Sequence, residues 1–185
     1  MAHIALDPEL PGIVGLLKEY PATAQRLVEL AEHMLRVDSP GLSMAEREII
    51  AGYVARLGNC TFCELSHAKI GEKLLGKPGL VAQAVCDLES ADLTPLMKAL
   101  LRIAGKVHAA PKSVSAADVE AARRLGASDR EIHDTVLIAA MFCMYYRYVD
   151  GLGTLTPDDP SAYDEGVDGT IDKGYVGRLR DLLES

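Results

Sequence analysis

Ser43-Met-Ala-Glu46-Arg-Glu48-Ile-Ile-Ala-Gly-Tyr-Val-Ala-Arg-Leu-Gly58-Asn59-Cys60-Thr-Phe-Cys63-Glu-Leu-Ser-His67 is the stretch on which the fold of this chain turns. It opens with a capping box, in which the Ser43 oxygen and the Glu46 carboxylate satisfy orphan amides of a first helical turn. Ile49, Ile50, Tyr53, Val54 and Leu57 then recur at helical spacing on one side. Gly58-Asn59 ends that helix. Asn59 is suited to cap a second one, which starts at Cys60 and runs to about Leu75, ahead of Gly76-Lys77-Pro78. A break this short turns the chain back on itself, so the two helices pack as an antiparallel hairpin.

Outward from the hairpin, helix signals continue. Pro21 opens a stretch with Ala24, Leu27, Val28, Ala31 and Leu35 at helical spacing. Short helices are expected over 80–88 and, behind Thr94-Pro95, over 96–108. Ser115-Ala-Ala-Asp118 and Ser128-Asp-Arg-Glu131 are two further box-like starts, the second leading into what reads as the most buried helix, 132–148. No period-two run of β-branched residues is long enough for a strand, so the expected class is all-α. Residues 1–155 read as one helical domain. From Thr156 to Gly174 the chain turns acidic and irregular, so 156–185 reads as a tail with a short amphipathic helix over 176–183. One internal echo stands out. Glu46-Arg-Glu48-Ile49 recurs as Asp129-Arg-Glu131-Ile132, with Cys60 and Cys143 each twelve residues past the second acid, which leaves open a decayed two-helix repeat or chance.

Composition narrows the function classes. Nearly half of the 185 residues are apolar, enough for a sizeable core without disulfides or metals. Nineteen basic residues against 27 acidic ones give a net charge of −8 with no basic stripe, which argues against nucleic acid and anionic membranes as partners. The N-terminus lacks the pattern of a signal peptide, and the most apolar stretch, Thr135 to Met144, is too short to span a bilayer, so a cytoplasmic location is expected. Four cysteines are too few for a secreted disulfide framework; in a reducing compartment the close pair Cys60/Cys63 reads as redox or metal chemistry.

Cys60, Cys63 and His67 stand at i, i+3 and i+7, along one edge of a helix. β-carbons three residues apart lie roughly 5–6 Å from each other, while a disulfide needs about 4 Å, so a small adjustment closes and reopens the pair. The helix dipole favours a thiolate at Cys60; an imidazole four residues on favours one at Cys63. A directional partner outweighs a screened dipole, so Cys63 is expected to attack and Cys60 to resolve. Glu48 would lie about 18 Å from Cys60 on one continuous helix. Only the turn at Gly58-Asn59 brings it to His67, where it would orient the ring and hold a proton. The residues themselves do not separate Glu48 from Glu46, which the capping box already employs.

The order Glu48, eleven residues, Cys60-x-x-Cys63-x-x-x-His67 resembles the alkyl hydroperoxidase D-like branch of the carboxymuconolactone decarboxylase superfamily. The wider stretch, including Leu42-Ser-Met-Ala-Glu-Arg-Glu48-Ile-Ile-Ala and Ile132-His-Asp-Thr-Val-Leu-Ile-Ala-Ala, resembles its uncharacterised peroxidase-related proteins. The likeness covers roughly residues 10 to 155 and rests on four functional residue types agreeing in order and spacing. It implies a compact all-helical bundle assembled as a homo-oligomer, a trimer or hexamer among the forms expected. It also implies reduction of a hydroperoxide at Cys63, closure of the disulfide by Cys60, and a Glu48/His67 proton relay without cofactor or metal. The reductant would be a lipoyl-bearing protein or another dithiol. The best-known member has a second histidine between the cysteines, where this chain has Phe62. The decarboxylase branch lacks the Cys pair.

Rival readings attach to the same residues. Two Cys and one His with Glu48 or water could hold zinc, but three ligands on one helix edge do not surround an ion tetrahedrally. A non-catalytic redox-sensing oligomer would switch assembly with the state of the Cys pair, and decarboxylase-type activity would survive loss of both cysteines. Cys86 and Cys143 sit among apolar residues and read as core. His133-Asp134 reads as a capping or interface pair, Tyr145, Tyr146 and Tyr148 as a subunit contact, and His3, His33 and His108 as surface residues.

Overall fold

The computed structural model describes residues 2–36 and 40–184. Among these the chain is all-helical: α1 (Ile13–Glu19), α2 (Pro21–Arg36), α3 (Met44–Leu57), α4 (Thr61–Leu75), α5 (Leu80–Cys86), α6 (Pro95–Ala109), α7 (Ala116–Arg124), α8 (Asp129–Gly151) and α9 (Asp164–Glu184), with short 3-10 turns at Pro111–Ser113 and Pro160–Tyr163. Each of the three capping boxes forms. Ser43 Oγ accepts from the Glu46 amide while the Glu46 carboxylate accepts from that of Ser43, and Ser115/Asp118 and Ser128/Glu131 do the same.

The centre of the molecule is α3 rather than α8. Every residue from Arg47 to Ala55 is buried, because α2, α4, α5, α6 and α8 all pack on this one helix. Helix α8 is longer than its pattern suggests and amphipathic, with Leu137 and Met144 left exposed. A buried ion pair ties the starts of the two helices. Arg47 Nη2 donates to Asp134 Oδ2 at 2.8 Å, both side chains being 1% exposed, and Arg47 also donates to the carbonyls of Leu42 and Met34. Burial by itself would push the Asp134 carboxyl up, but hydrogen bonds from His133, Arg47 and Arg130 outweigh it and hold the group below the usual range. Asp134 is thus half of an internal clamp, with His133 bonded to it from the exposed side.

Helices α3 and α4 form the expected antiparallel hairpin, and two glycines set its closeness. A β-carbon on Gly52 would fall 2.8 Å from the Ala68 amide nitrogen, and one on Gly71 would fall 2.9 Å from the Ala45 carbonyl. Without side chains there, the two backbones nearly touch. The turn differs in detail from the sequence expectation. Asn59 does not cap α4; it takes the left-handed conformation (φ 59°) that asparagine tolerates, and Cys60 becomes the N-cap, its sulfur accepting the Cys63 amide at 3.4 Å.

The remaining departures lie at the periphery. The segment after Thr156 is helical from Asp164 and breaks only at Gly174, whereas its many Asp and Gly suggested irregular chain; docking on α2 and α4 outweighs their poor helix propensity. Cys86 is exposed, because α5 turns Leu80, Val81 and Ala84 inward, and Cys143 is only half-buried. His108 is half-buried, edge-on to Tyr146 at 5.8 Å, and neither ring nitrogen has a partner among the described residues. Tyr145 and Tyr146 are buried within the chain. The echo is not a repeated two-helix unit. Glu131 is the capping acid of α8 and so corresponds to Glu46 rather than to Glu48, and α8 runs unbroken where α3 and α4 are separate. No helix among the described residues is long and apolar enough to cross a membrane.

Gly52→Ala is expected to cost about 1–3 kcal/mol through overpacking against α4, which at ~2–4 °C per kcal/mol for a chain of this size is a fall in Tm of several degrees. Thermal unfolding followed by circular dichroism measures it.

Candidate active site

The backbone contact at Gly52/Ala68 puts the preceding residue of α4, His67, beside Glu48 of α3. Glu48 Oε2 lies 2.8 Å from His67 Nδ1, and the carboxylate is entirely buried while the imidazole side chain keeps 16% exposure. With Glu48 accepting at Nδ1, that nitrogen carries the hydrogen and Nε2 is left as the basic one. Phe142 of α8 meets the imidazole edge-on, with ring centroids 4.5 Å apart, and fixes its plane. Glu46 is spent on the capping box, which separates the two acids that the sequence left undecided.

Cys60 and Cys63 occupy the first turn of α4, 1% and 4% exposed. The four cysteines are thiols. The hydrogen bond between Cys63 and Cys60, reinforced by burial, holds the Cys63 thiol far above the ordinary cysteine range, the opposite of the thiolate that its spacing from His67 predicts, because the bond and the apolar surroundings both favour the protonated sulfur. Cys63, His67 and Tyr175 share a cavity of about 70 Å³. Its remaining wall is largely apolar: Phe62, then Phe142, Tyr145 and Val149 of α8, and aliphatic side chains of α1 and α2. The Tyr145 hydroxyl points away to the Leu27 carbonyl at 2.7 Å. Phe62 packs 5.8 Å from the Tyr163 ring and fills the space under Gly12, where a β-carbon would sit 2.2 Å from it.

Two residues of the site escaped the sequence reading, both from the C-terminal arm. Tyr163 stands near the cysteine pair; burial first, and then the two sulfurs, push its phenol up to about 12. Tyr175 donates to Glu48 Oε1 at 2.6 Å and lies 3.2 Å from His67 Nδ1. Burial and then the adjacent Glu48 carboxylate keep its phenol well above the ordinary value, so it remains a donor. Neither tyrosine belongs to a motif. The only available signal was an aromatic in an otherwise acidic, Gly-rich stretch.

A larger open groove of about 480 Å³ lies between α4 and α9, but it holds none of these groups. Two of its lysines are paired with α9 aspartates, Lys69 with Asp164 and Lys73 with Asp168. Among the described residues no three His, Cys, Asp or Glu side chains are grouped to hold a metal ion.

Solved structures share this architecture. The alkylhydroperoxidase AhpD core of an uncharacterised peroxidase-related protein from Ralstonia eutropha JMP134 superposes with a TM-score of 0.74 at 27% sequence identity, covering 81% of this chain and 78% of that one. An uncharacterised peroxidase-related protein from Silicibacter sp. TM1040 superposes with a TM-score of 0.71 at 26% identity, covering 78% and 76%. No family model and no curated protein matches the chain. The chain thus has the fold of the alkylhydroperoxidase core, the group that its Glu48-to-His67 pattern resembles.

Because the bond to Cys60 is the largest influence raising the Cys63 thiol, Cys60→Ala is expected to lower the pH midpoint for alkylation of Cys63 by iodoacetamide. Peptide mass spectrometry across a pH series checks the direction.

Proposed function

We propose that this chain is a thiol-dependent peroxidase that reduces apolar organic hydroperoxides through the Cys60/Cys63 dithiol. The observation that carries the reading is that Cys63 and His67 open into one cavity while Glu48 holds the far nitrogen of the imidazole. The Cys63 proton passes to His67 Nε2, and the imidazolium formed is balanced by the buried Glu48 carboxylate. The thiolate attacks the outer peroxide oxygen. The O–O bond breaks, Cys63 becomes a sulfenic acid, and the departing alkoxide takes the proton from His67 to leave as an alcohol. The Cys60 sulfur then displaces water from the sulfenic acid to form the Cys60–Cys63 disulfide. An external dithiol, such as a lipoyl group, restores both thiols and is itself oxidised to a disulfide.

Placing Cys60 at the N-cap and Cys63 in the cavity supports this division of roles, with the resolving sulfur behind the attacking one. The apolar wall favours a substrate with a hydrocarbon substituent. Exposed Leu137 and Met144 on the outer face of α8 support self-association into a homo-oligomer.

Turnover of ethyl hydroperoxide with dihydrolipoamide tests the reading. Cys63→Ser and Cys60→Ser are each expected to abolish it. Retained turnover in Cys63→Ser would overturn the assignment, and an inactive parent whose Cys pair still oxidises reversibly would favour a redox switch. With about 0.8 kcal/mol gained per buried carbon, ethyl hydroperoxide is expected to exceed hydrogen peroxide in kcat/KM by roughly tenfold. Initial rates with the two substrates measure the ratio.

A further inference from the structure

The C-terminal arm is built into the relay. At Gly174 the backbone of α9 takes φ 73° and ψ 176°, a conformation open essentially to glycine only. A β-carbon there would sit 2.7 Å from both Glu32 carboxylate oxygens. The kink frees backbone amides, and α2 holds them: Glu32 Oε2 accepts from the Tyr175 amide at 2.7 Å and from that of Val176 at 3.3 Å. Arg36, paired with Glu32, donates to the carbonyls of Thr170 and Ile171 on the preceding turn. The clamped break delivers the Tyr175 hydroxyl to Glu48 Oε1.

Each oxygen of the buried Glu48 carboxylate therefore has one close donor among the described residues, His67 at Oε2 and Tyr175 at Oε1. We propose that Tyr175 is a positioning residue of this site, its hydroxyl holding Glu48 as a carboxylate aimed at His67 and thereby setting the pH at which the Glu48–His67 pair takes up a proton. As a statement about rate the inference rests on the peroxidase reading; as a statement about the pair's proton affinity it stands apart from it.

A hydrogen bond donated to a carboxylate stabilises the charged form. That bond is strongest when His67 is neutral and the carboxylate charge is least offset, so Tyr175 favours the unprotonated pair. The pair then stays free to receive the Cys63 proton at lower pH. Among the described residues, the other ionisable groups around it are Cys63 from α4, Tyr145 from α8, and Glu32 and Arg36 from α2; the α1 side chains lining the cavity, Ile13 and Leu17, carry no charge. Glu32 and Arg36 are paired with each other, and Tyr145 is turned to a carbonyl, so among the described residues Tyr175 is the donor to Glu48 Oε1, its hydroxyl lying beside His67 Nδ1 as well.

The test is Tyr175→Phe in the full chain, which keeps the ring and removes one oxygen. Two readouts are compared with the parent: the pH profile of ethyl hydroperoxide turnover, and a nitrogen-15 NMR titration of the His67 ring, which needs no turnover. The midpoint of the coupled pair is expected to rise by about one unit, so that turnover falls about tenfold below the midpoint and little above it. Gly174→Ala, which retains Tyr175 but forbids the kink, is expected to raise the midpoint in the same direction. An unmoved NMR midpoint in Tyr175→Phe, with turnover unchanged or lowered equally at every pH, overturns the inference while leaving the peroxidase reading intact. A raised midpoint in a chain without peroxide turnover supports the inference and overturns the peroxidase reading.

Discussion

A fully buried carboxylate governs this structure. Taking Glu48 out of water is expensive unless its oxygens are hydrogen-bonded, and the partners come from two elements far apart in sequence. His67 reaches Oε2 because Gly52 and Gly71 let α3 and α4 approach to backbone contact. Tyr175 reaches Oε1 because α9 breaks at Gly174 under the hold of Glu32 and Arg36. The hairpin, the arm and α2 are thus bound to one charged group, and the tolerance for moving any of them is small.

Burying α3 on all sides serves the same end. A helix exposed on one face would leave Glu48 to water, where an imidazole beside it would gain little. Here α8 closes the far side, with Phe142 against His67 and Asp134 against Arg47. Arg47 and Glu48 are consecutive on the most buried helix, and they take different partners: Asp134 ties Arg47 to α8, while His67 and Tyr175 tie Glu48 to α4 and α9.

The C-terminal arm covers both halves of the candidate site. Tyr163 lies near the sulfurs and Tyr175 at the carboxylate. The arm's acidic residues pair with the α4 lysines: Lys69 meets Asp164 and Lys73 meets Asp168. These aspartates act as docking contacts between α9 and α4. Such surface pairs contribute little individually, and the hydrogen bonds at the Gly174 kink carry more of the specificity.

Local chemistry was legible wherever it depends on residues a few positions apart. The capping boxes at Ser43, Ser115 and Ser128, the break at Gly58-Asn59 and the placing of Cys63 and His67 on one edge of α4 follow from backbone hydrogen bonding and helical periodicity, and the chain by itself determined them, whereas Cys60 falls just outside the helix as its cap. What it could not determine was set by contacts between distant segments. Asn59 rather than Cys60 as the cap, Cys86 as core, and an irregular 156–174 were each reasonable from neighbours in sequence, and each was decided otherwise by packing. The family resemblance pointed to Glu48 rather than Glu46, but the pairing of Arg47 with Asp134 and the arrival of Tyr175 belong to the tertiary structure alone. A buried charge is satisfied by whatever donor the fold brings within 3 Å, and no spacing rule in the sequence records that distance.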